Sequence, residues 1–372
     1  MALASSTGTA VGDNNNSLLE NVSTVINKDT TLDAAPLKVP QQQRHSELPR
    51  NRHQRHSDDP IISTKTTVNE VEYNFDIDIN YEVKSGKHFV NVKGSLKNHC
   101  QFWKNVLNAS DYILNVIALG YILPFVSEPT SVMLQNNLSS YKYSTFVERA
   151  ISELLINNCI NEVTCPPFVV NSLTVSVNSS GKERLVLDLR HVKKFVDKQK
   201  VKFEGVNEAL AFANNSKYMY KFDLKSGYHH IDIHEHHQHF LGFSWQFGNK
   251  TRYFTFSVLL FGLCSSGHIF TKVVRVLVKY WRSLGFPIVI YLDDGLGTAE
   301  NYVLCEKMSV QVRGDLIKSG FVANNEKSVW NTVQSIEWLG FIWDLSSGTL
   351  EKIGDVEKHY ISFSGRKFAF NL

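Results

Sequence analysis

Three aspartates at the ends of apolar strands are the residues of this chain best suited to chemistry. Ile288, Val289, Ile290, Tyr291 and Leu292 form a short apolar run, opened by Pro287 and closed by Asp293, Asp294 and Gly295. A β-branched run bounded in this way reads as a buried strand. Asp-Gly after a strand signals a hairpin, because glycine accepts the positive φ of tight turns. The expected turn therefore carries two carboxylates. Upstream, Tyr218 to Leu224 is an aromatic-rich strand with Asp223 near its end, followed by Ser226-Gly227. Asp223 precedes Asp293 by 70 residues, enough for the two strands to lie side by side with a helix and a hairpin between them. Carboxylates brought together on adjacent strands repel unless cations intervene. Mg²⁺ prefers oxygen ligands, usually one or two carboxylates plus substrate phosphates. Two such ions activate an attacking hydroxyl and stabilise the leaving oxygen of an in-line phosphoryl displacement. That chemistry is nucleotidyl transfer; a solvated Asp-Asp-Gly turn is the alternative.

The elements around these carboxylates belong to a folded chain. Of 372 residues, 43% are hydrophobic and 12% aromatic, which supports a sizeable core. The net charge of +3 permits a nucleic-acid partner without arguing for one. Five cysteines without a C-x-x-C pair suit a reducing compartment and give neither a zinc nor a disulfide framework. No basic segment followed by an apolar run opens the chain, so an intracellular rather than secreted protein is expected. The apolar window 112–126 is interrupted by Asn115, Gly120 and Pro124 and is too short to span a bilayer, so no membrane partner is expected.

Residues 1–65 are polar and poor in apolar side chains, a composition that predicts disorder. Val71, Tyr73, Phe75, Ile77, Ile79, Tyr81 and Val83 alternate with polar residues, a period of two that predicts an amphipathic strand. Lys84 to Lys87 would turn it back onto Phe89–Val92. Helices are predicted over 95–108 and 111–119, the second ended by Gly120. Thr145 and Glu148 are spaced as a capping box for a third, with Val147, Ile151, Leu154 and Leu155 as its apolar face. The run 229–239 holds six of the fourteen histidines; a zinc site there is a minor alternative to an exposed connection.

Seven ordered blocks resemble the reverse transcriptase family, and in detail the polymerase of DIRS-type retrotransposons, which encode a tyrosine recombinase. They are ERLVLDLRHVKKF (183–195), YKFDLKSGYHHIDI (220–233), LGFSWQF (241–247), RYFTFSVLLFGLCSSGHIFTK (252–272), IVIYLDDGLG (288–297), GFVANNEKSVW (320–330) and EWLGFIWDL (337–345). The resemblance implies an α+β right-hand polymerase: fingers and palm over 144–345, an antiparallel palm sheet, a hairpin and helical lead-in over 66–143, and a truncated thumb remnant over 346–372. Fingers would draw on 144–210 and 235–260. It implies a primer extended with dNTPs on an RNA or DNA template, with two Mg²⁺ ions or Mn²⁺ as a substitute. A separate RNase H or recombinase chain of the element is a further implied partner. A catalytically inactive nucleic-acid-binding remnant and an RNA-dependent RNA polymerase remain as alternatives.

Residue by residue, the resemblance makes Asp223 and Asp293 the metal ligands and Asp294 their supporting carboxylate. Arg184 would lie over the incoming triphosphate, where a guanidinium holds phosphate oxygens bidentately. Leu224 would line the nucleotide site. Tyr228 would exclude a 2′-OH, the atom that separates RNA from DNA building blocks. Gly262 would let backbone approach the nascent pair, and Lys327 would stand near the pyrophosphate as a general acid. Trp338, Leu339 and Gly340 would grip the primer end. Asp188 and Arg190 match equally as an internal ion pair or as substrate contacts. Gly267 stands where relatives have proline, His268 where they have a packing ring, and Lys193 where they have asparagine.

Overall fold

The computed structural model describes residues 92–179 and 181–354 and the backbone of 360–362. The expected polar tail and the alternating strand over 71–83 lie outside the described residues.

The helix expected over 95–108 is two short ones, α1 (Ser95–Asn98) and α2 (Cys100–Asn105). The chain breaks at His99, whose Nδ1 lies 2.8 Å from the Ser95 carbonyl. Trp103 is buried, and its indole N–H donates to the Ser319 carbonyl at 2.8 Å, which pins this segment to the far end of the chain. Helix α3 (Asp111–Leu119) ends at Gly120 as expected, with φ 92°. A side chain there would collide with the His234 backbone nitrogen at 2.7 Å. After β1 (Val132–Met133) come α4 (Leu138–Lys142) and α5 (Ser144–Ile156). The expected capping box does not form, because α5 begins one residue before Thr145 and no side chain caps it. Glu148 instead accepts a long bond of 3.5 Å from the Trp245 indole, a tertiary contact that local spacing does not encode. Val147 and Ile151 are buried as expected.

Strands β2 (Ile160–Val163), β3 (Val169–Val177) and β4 (Glu183–Asp188) lead to α6 (Val206–Ala213) and β5 (Tyr218–Asp223). The single turn α7 (Glu235–Gln238) precedes β6 (Gly242–Phe247) and β7 (Lys250–Phe256). These make a mixed six-stranded sheet of order β1-β3-β6-β7-β2, with β4 also on β3. Its β1–β3 and β3–β6 pairs are parallel. Buried Asn171 secures that parallel seam by donating to the Phe240 and Gly242 carbonyls at 3.1 and 3.0 Å.

The long helix α8 (Ser266–Ser283) is followed by β8 (Ile288–Tyr291), β9 (Asp294–Ala299), α9 (Tyr302–Ser319) and β10 (Val329–Val333). Strands β10-β5-β9-β8 form an antiparallel sheet. Strand period two sorts its side chains. Tyr220, Phe222, Ile288 and Ile290 join the main core with α8 and α9, while Met219, Val289 and Leu296 face a second core. The Trp281 indole on α8 donates to buried Asp315 on α9 at 3.0 Å, locking the two helices together beneath the sheet. Finally β11 (Ser335–Trp338), β12 (Phe341–Asp344), β13 (Thr349–Lys352) and β14 (Tyr360–Ser362) form an antiparallel meander. Its Trp338, Trp343 and Leu350 pack with α6 over the second core. The described architecture is α+β, with the expected antiparallel sheet at its centre.

Candidate active site

Strands β5 and β9 pair in a register that sets Asp223 directly opposite Asp294, while Tyr291 of β8 faces Asp294 from the other side. Leu292 and Asp293 are the two residues between β8 and β9. The turn is thus made by Leu292 and Asp293, not by the expected Asp294-Gly295 pair. Leu292 itself takes φ 54°. Gly295 is a strand residue, and glycine is required there for packing: a Cβ would fall inside the Phe222 ring, and Gly297 stands in the same relation to Tyr220. Two aromatic rings of β5 occupy the space beside β9 that side chains at Gly295 and Gly297 would take. That contact holds the three carboxylates at one end of the sheet.

Backbone bonds fix the cluster from both sides. The Leu224 N–H donates to the Asp293 carbonyl at 2.9 Å, so Leu224 acts here through its backbone and its buried side chain. Segment 322–328 wraps the end of β5: Lys225 N–H donates to Val322 O at 2.8 Å, Asn324 N–H to Asp223 O at 2.7 Å. Asp223 N–H in turn donates to the Ser328 hydroxyl at 3.1 Å. The Lys327 ammonium reaches the Asp223 carboxylate at 3.2 Å. Gly227 lets the turn approach, since a Cβ there would lie 2.9 Å from the Phe270 ring and 3.1 Å from the Asp293 Cβ.

Sequence reasoning passed over His230, which ties these parts together. Its Nε2 accepts from the Val322 N–H at 3.0 Å, so the proton sits on Nδ1 and is donated to the Gly227 carbonyl at 3.1 Å. Burial lowers its pKa to about 4, so the ring is neutral and this tautomer is fixed. The signal was present as a histidine inside an apolar strand-to-turn block, but its partner Val322 is 92 residues away. His237 is also structural: it accepts from Leu123 N–H at 3.0 Å and stacks on Phe125.

The carboxylates are short of positive charge. Burial pushes the Asp293 carboxyl above its ordinary value, and the neighbouring Asp223 charge adds to this. Burial raises Asp294 to about 6, with Asp293 and Asp223 repelling its charged form and an Asp223 hydrogen bond favouring the neutral one. Three partly desolvated carboxylates gathered at one end of a sheet are a donor set suited to a hard divalent cation. Among the described residues no group of three or more His, Cys, Asp or Glu is arranged as a ready-made cage.

Tyr228 stands beside this cluster on the turn Gly227–His230. Its ring packs 4.6 Å from Phe261 and 5.2 Å from Phe270, and burial raises its pKa, with Asp293 adding to the shift. Gly262 takes φ 96° and sits against the Leu187 carbonyl of β4. The chain of contacts from carboxylates through Tyr228 and Phe261 therefore ends on β4. Arg184 lies on that strand, paired with Ser176 and exposed. Asp188 and Arg190 form an ion pair of 2.6 Å. Gly267 is the second residue of α8, and a Cβ there would sit 3.1 Å from the Phe203 ring. His268 is held by the Lys200 carbonyl at 3.2 Å.

The β11–β12 turn consists of Leu339 and Gly340, both with positive φ, of 47° and 77°. Trp338 faces inward at 3% exposure and packs on Trp343, so only Leu339 and Gly340 present themselves at the tip. The Lys221 ammonium donates to the Glu337 carbonyl at 2.7 Å, tying this turn to β5.

The carboxylate register can be set beside known proteins. Residues 171–343 match the reverse transcriptase (RNA-dependent DNA polymerase) family. The chain is 28% identical over 199 residues to the retrovirus-related Pol polyprotein from transposon opus of Drosophila melanogaster, covering 53% of this chain and 19% of that one. It is 27% identical over 203 residues to the corresponding polyprotein from transposon gypsy of the same species, again 19% of the relative. The genome polyprotein of Petunia vein clearing virus aligns at 26% identity over 202 residues, 9% of its length. The chain thus spans less than a fifth of these curated relatives. A foamy viral protease-reverse transcriptase structure in complex with double-stranded DNA superposes with a TM-score of 0.51 at 20% identity, over 70% of this chain and 47% of that one. That likeness shows the fold, an α+β arrangement like that of a reverse transcriptase. Asp223, Asp293, Asp294 and Lys327 all fall within the segment that matches the reverse transcriptase family.

Proposed function

We propose that this chain is an RNA-directed DNA polymerase of a retroelement, adding dNTPs to a primer 3′-OH. The observation that carries the reading is the β5–β9 register, which sets Asp223 against Asp294 with Asp293 in the adjoining turn. Divalent cations, Mg²⁺ or Mn²⁺, bound by Asp223 and Asp293 would lower the pKa of the primer hydroxyl and neutralise the leaving pyrophosphate. The chain's own groups do the rest. Asp294 supports the ligand pair, and Leu224 holds the Asp293 backbone through its N–H. Tyr228 closes the space a 2′-OH would need. Arg184 contacts the triphosphate, and Gly262 leaves room for the base pair. Lys327 supplies charge and a proton on the pyrophosphate side. Leu339 and Gly340 meet the primer backbone, with Trp338 anchoring their turn from within. RNA or DNA template would be held mainly through phosphates and sugars.

The seven motif blocks favour a DIRS-type element, with RNase H or recombinase functions on other chains or segments. An intracellular setting fits the five free thiols, and no helix among the described residues is long and apolar enough to cross a membrane. Extension of a labelled primer on an RNA template, with dNTPs and then rNTPs, tests the reading. Preferential dNTP addition that Asp223→Asn abolishes is the expected result. Preferential rNTP addition, or addition that Asp223→Asn leaves intact, would overturn it.

A further inference from the structure

Lys327 has a position that its proposed role on the pyrophosphate does not explain. Its ammonium lies 3.2 Å from the Asp223 carboxylate, whose side chain is 8% exposed, while the lysine side chain itself is 66% exposed. The backbone that carries it is fixed. Lys327 N–H and Ser328 N–H both donate to the Asn324 carbonyl, at 3.2 and 2.9 Å, and Glu326 N–H donates to the Asn324 side chain at 3.2 Å. This turn is itself bound to Asp223 through Asn324 N–H and the Ser328 hydroxyl. A flexible four-carbon stem thus projects from a rigid base and ends on the carboxylate. Lysine is suited to such a task as a compact point charge that can leave without dismantling a planar, bidentate pair.

The cluster needs such a charge. Asp223, Asp293 and Asp294 are all partly or wholly withdrawn from water, and each charged form repels the others. A buried carboxylate without a compensating partner is costly. We infer that Lys327 is the resident counter-ion of the carboxylate cluster in the metal-free chain and must leave Asp223 before a divalent cation binds there. The lysine then swings on its stem, free to meet the phosphates that arrive with the nucleotide. Metal loading and lysine release are one exchange, so the ion pair sets a threshold on metal binding in the absence of substrate. This inference rests on the proposed metal-binding reading of the cluster.

Mn²⁺ titration of the whole chain, without nucleic acid or dNTP, followed by calorimetry or the loss of the free-ion magnetic resonance signal, tests it. Lys327→Met should bind Mn²⁺ about threefold or more tightly than the wild type, the fold-change that goes with releasing a partly exposed ion pair. Lys327→Arg, which keeps the charge, should bind no more tightly than the wild type. The melting temperature in EDTA should fall in Lys327→Met, and Mn²⁺ should raise it by more than in the wild type. Mn²⁺ binding equal to or weaker than wild type in folded Lys327→Met would overturn the counter-ion role while leaving the metal site standing. Binding that Asp223→Asn does not weaken would overturn the metal site and the counter-ion together.

Discussion

Asp294 is the residue whose environment most directly reports the state of the cluster. Its carboxyl is raised to about 6 from an ordinary value of 3.8, chiefly by burial and then by Asp293 and Asp223. A folded carboxyl with a raised pKa favours folding in its protonated form. That contribution is complete below 3.8 and is lost as pH rises through about 6. Relative to Asp294→Asn, the metal-free wild type should therefore lose stability between pH 5 and pH 7, while buried neutral His230, with its pKa lowered to about 4, pulls the opposite way in both proteins. Melting curves in EDTA across that range are the check. Tyr228 makes a separate prediction. Its ring is set by Phe261 and Phe270, so Tyr228→Ala should leave the fold intact and lower dNTP-over-rNTP preference by about tenfold or more, the scale of one lost steric contact. Single-nucleotide incorporation kinetics with each substrate would show it.

At the scale of elements, the meeting of β5 and β9 is the contact on which the carboxylates depend. A methyl group at Gly295 overlaps the Phe222 ring, so Gly295→Ala should destabilise the protein by about 1–3 kcal/mol through overpacking. Urea unfolding of the variant measures it. This contact also shows what the sequence could and could not disclose. The strands carrying Asp223 and Asp293 were legible because each is a short apolar run ending in acid, and local pattern is enough to see that. The turn was placed two residues late because Asp-Gly is locally the better turn former. Phe222, more than 70 residues earlier in the chain, decides instead that glycine belongs in the strand. The same limit hid His230, whose bond to Val322 is long-range. It also made Thr145 and Glu148 resemble a capping box when Glu148 points to Trp245. Periodicity revealed α3 and its stop at Gly120 faithfully, since both are properties of nearby residues.

Over the whole described molecule, two hydrophobic clusters meet across the β10-β5-β9-β8 sheet, and the β11–β14 meander rests on the smaller of them. The N-terminal helices instead join the larger through Trp103, whose indole is bonded to Ser319. Trp103→Ala should cost about 3–5 kcal/mol, as for other fully buried aromatic side chains. It should also loosen α9, which hydrogen exchange would report as faster exchange around Ser319. The modest net charge of +3 permits a nucleic-acid partner. Binding to primer–template should weaken steeply with added salt.

Asp223, Asp293 and Asp294 are proposed to form one working centre for nucleotidyl transfer. Single-turnover addition of a dNTP to a primer on an RNA template, wild type beside Asp293→Ala, addresses it most directly. The wild type should add the nucleotide with Mg²⁺ or Mn²⁺, and a variant that is folded and still binds primer–template should add none. Addition that survives in Asp293→Ala, or a folded wild type that binds primer–template and adds nothing, would contradict it.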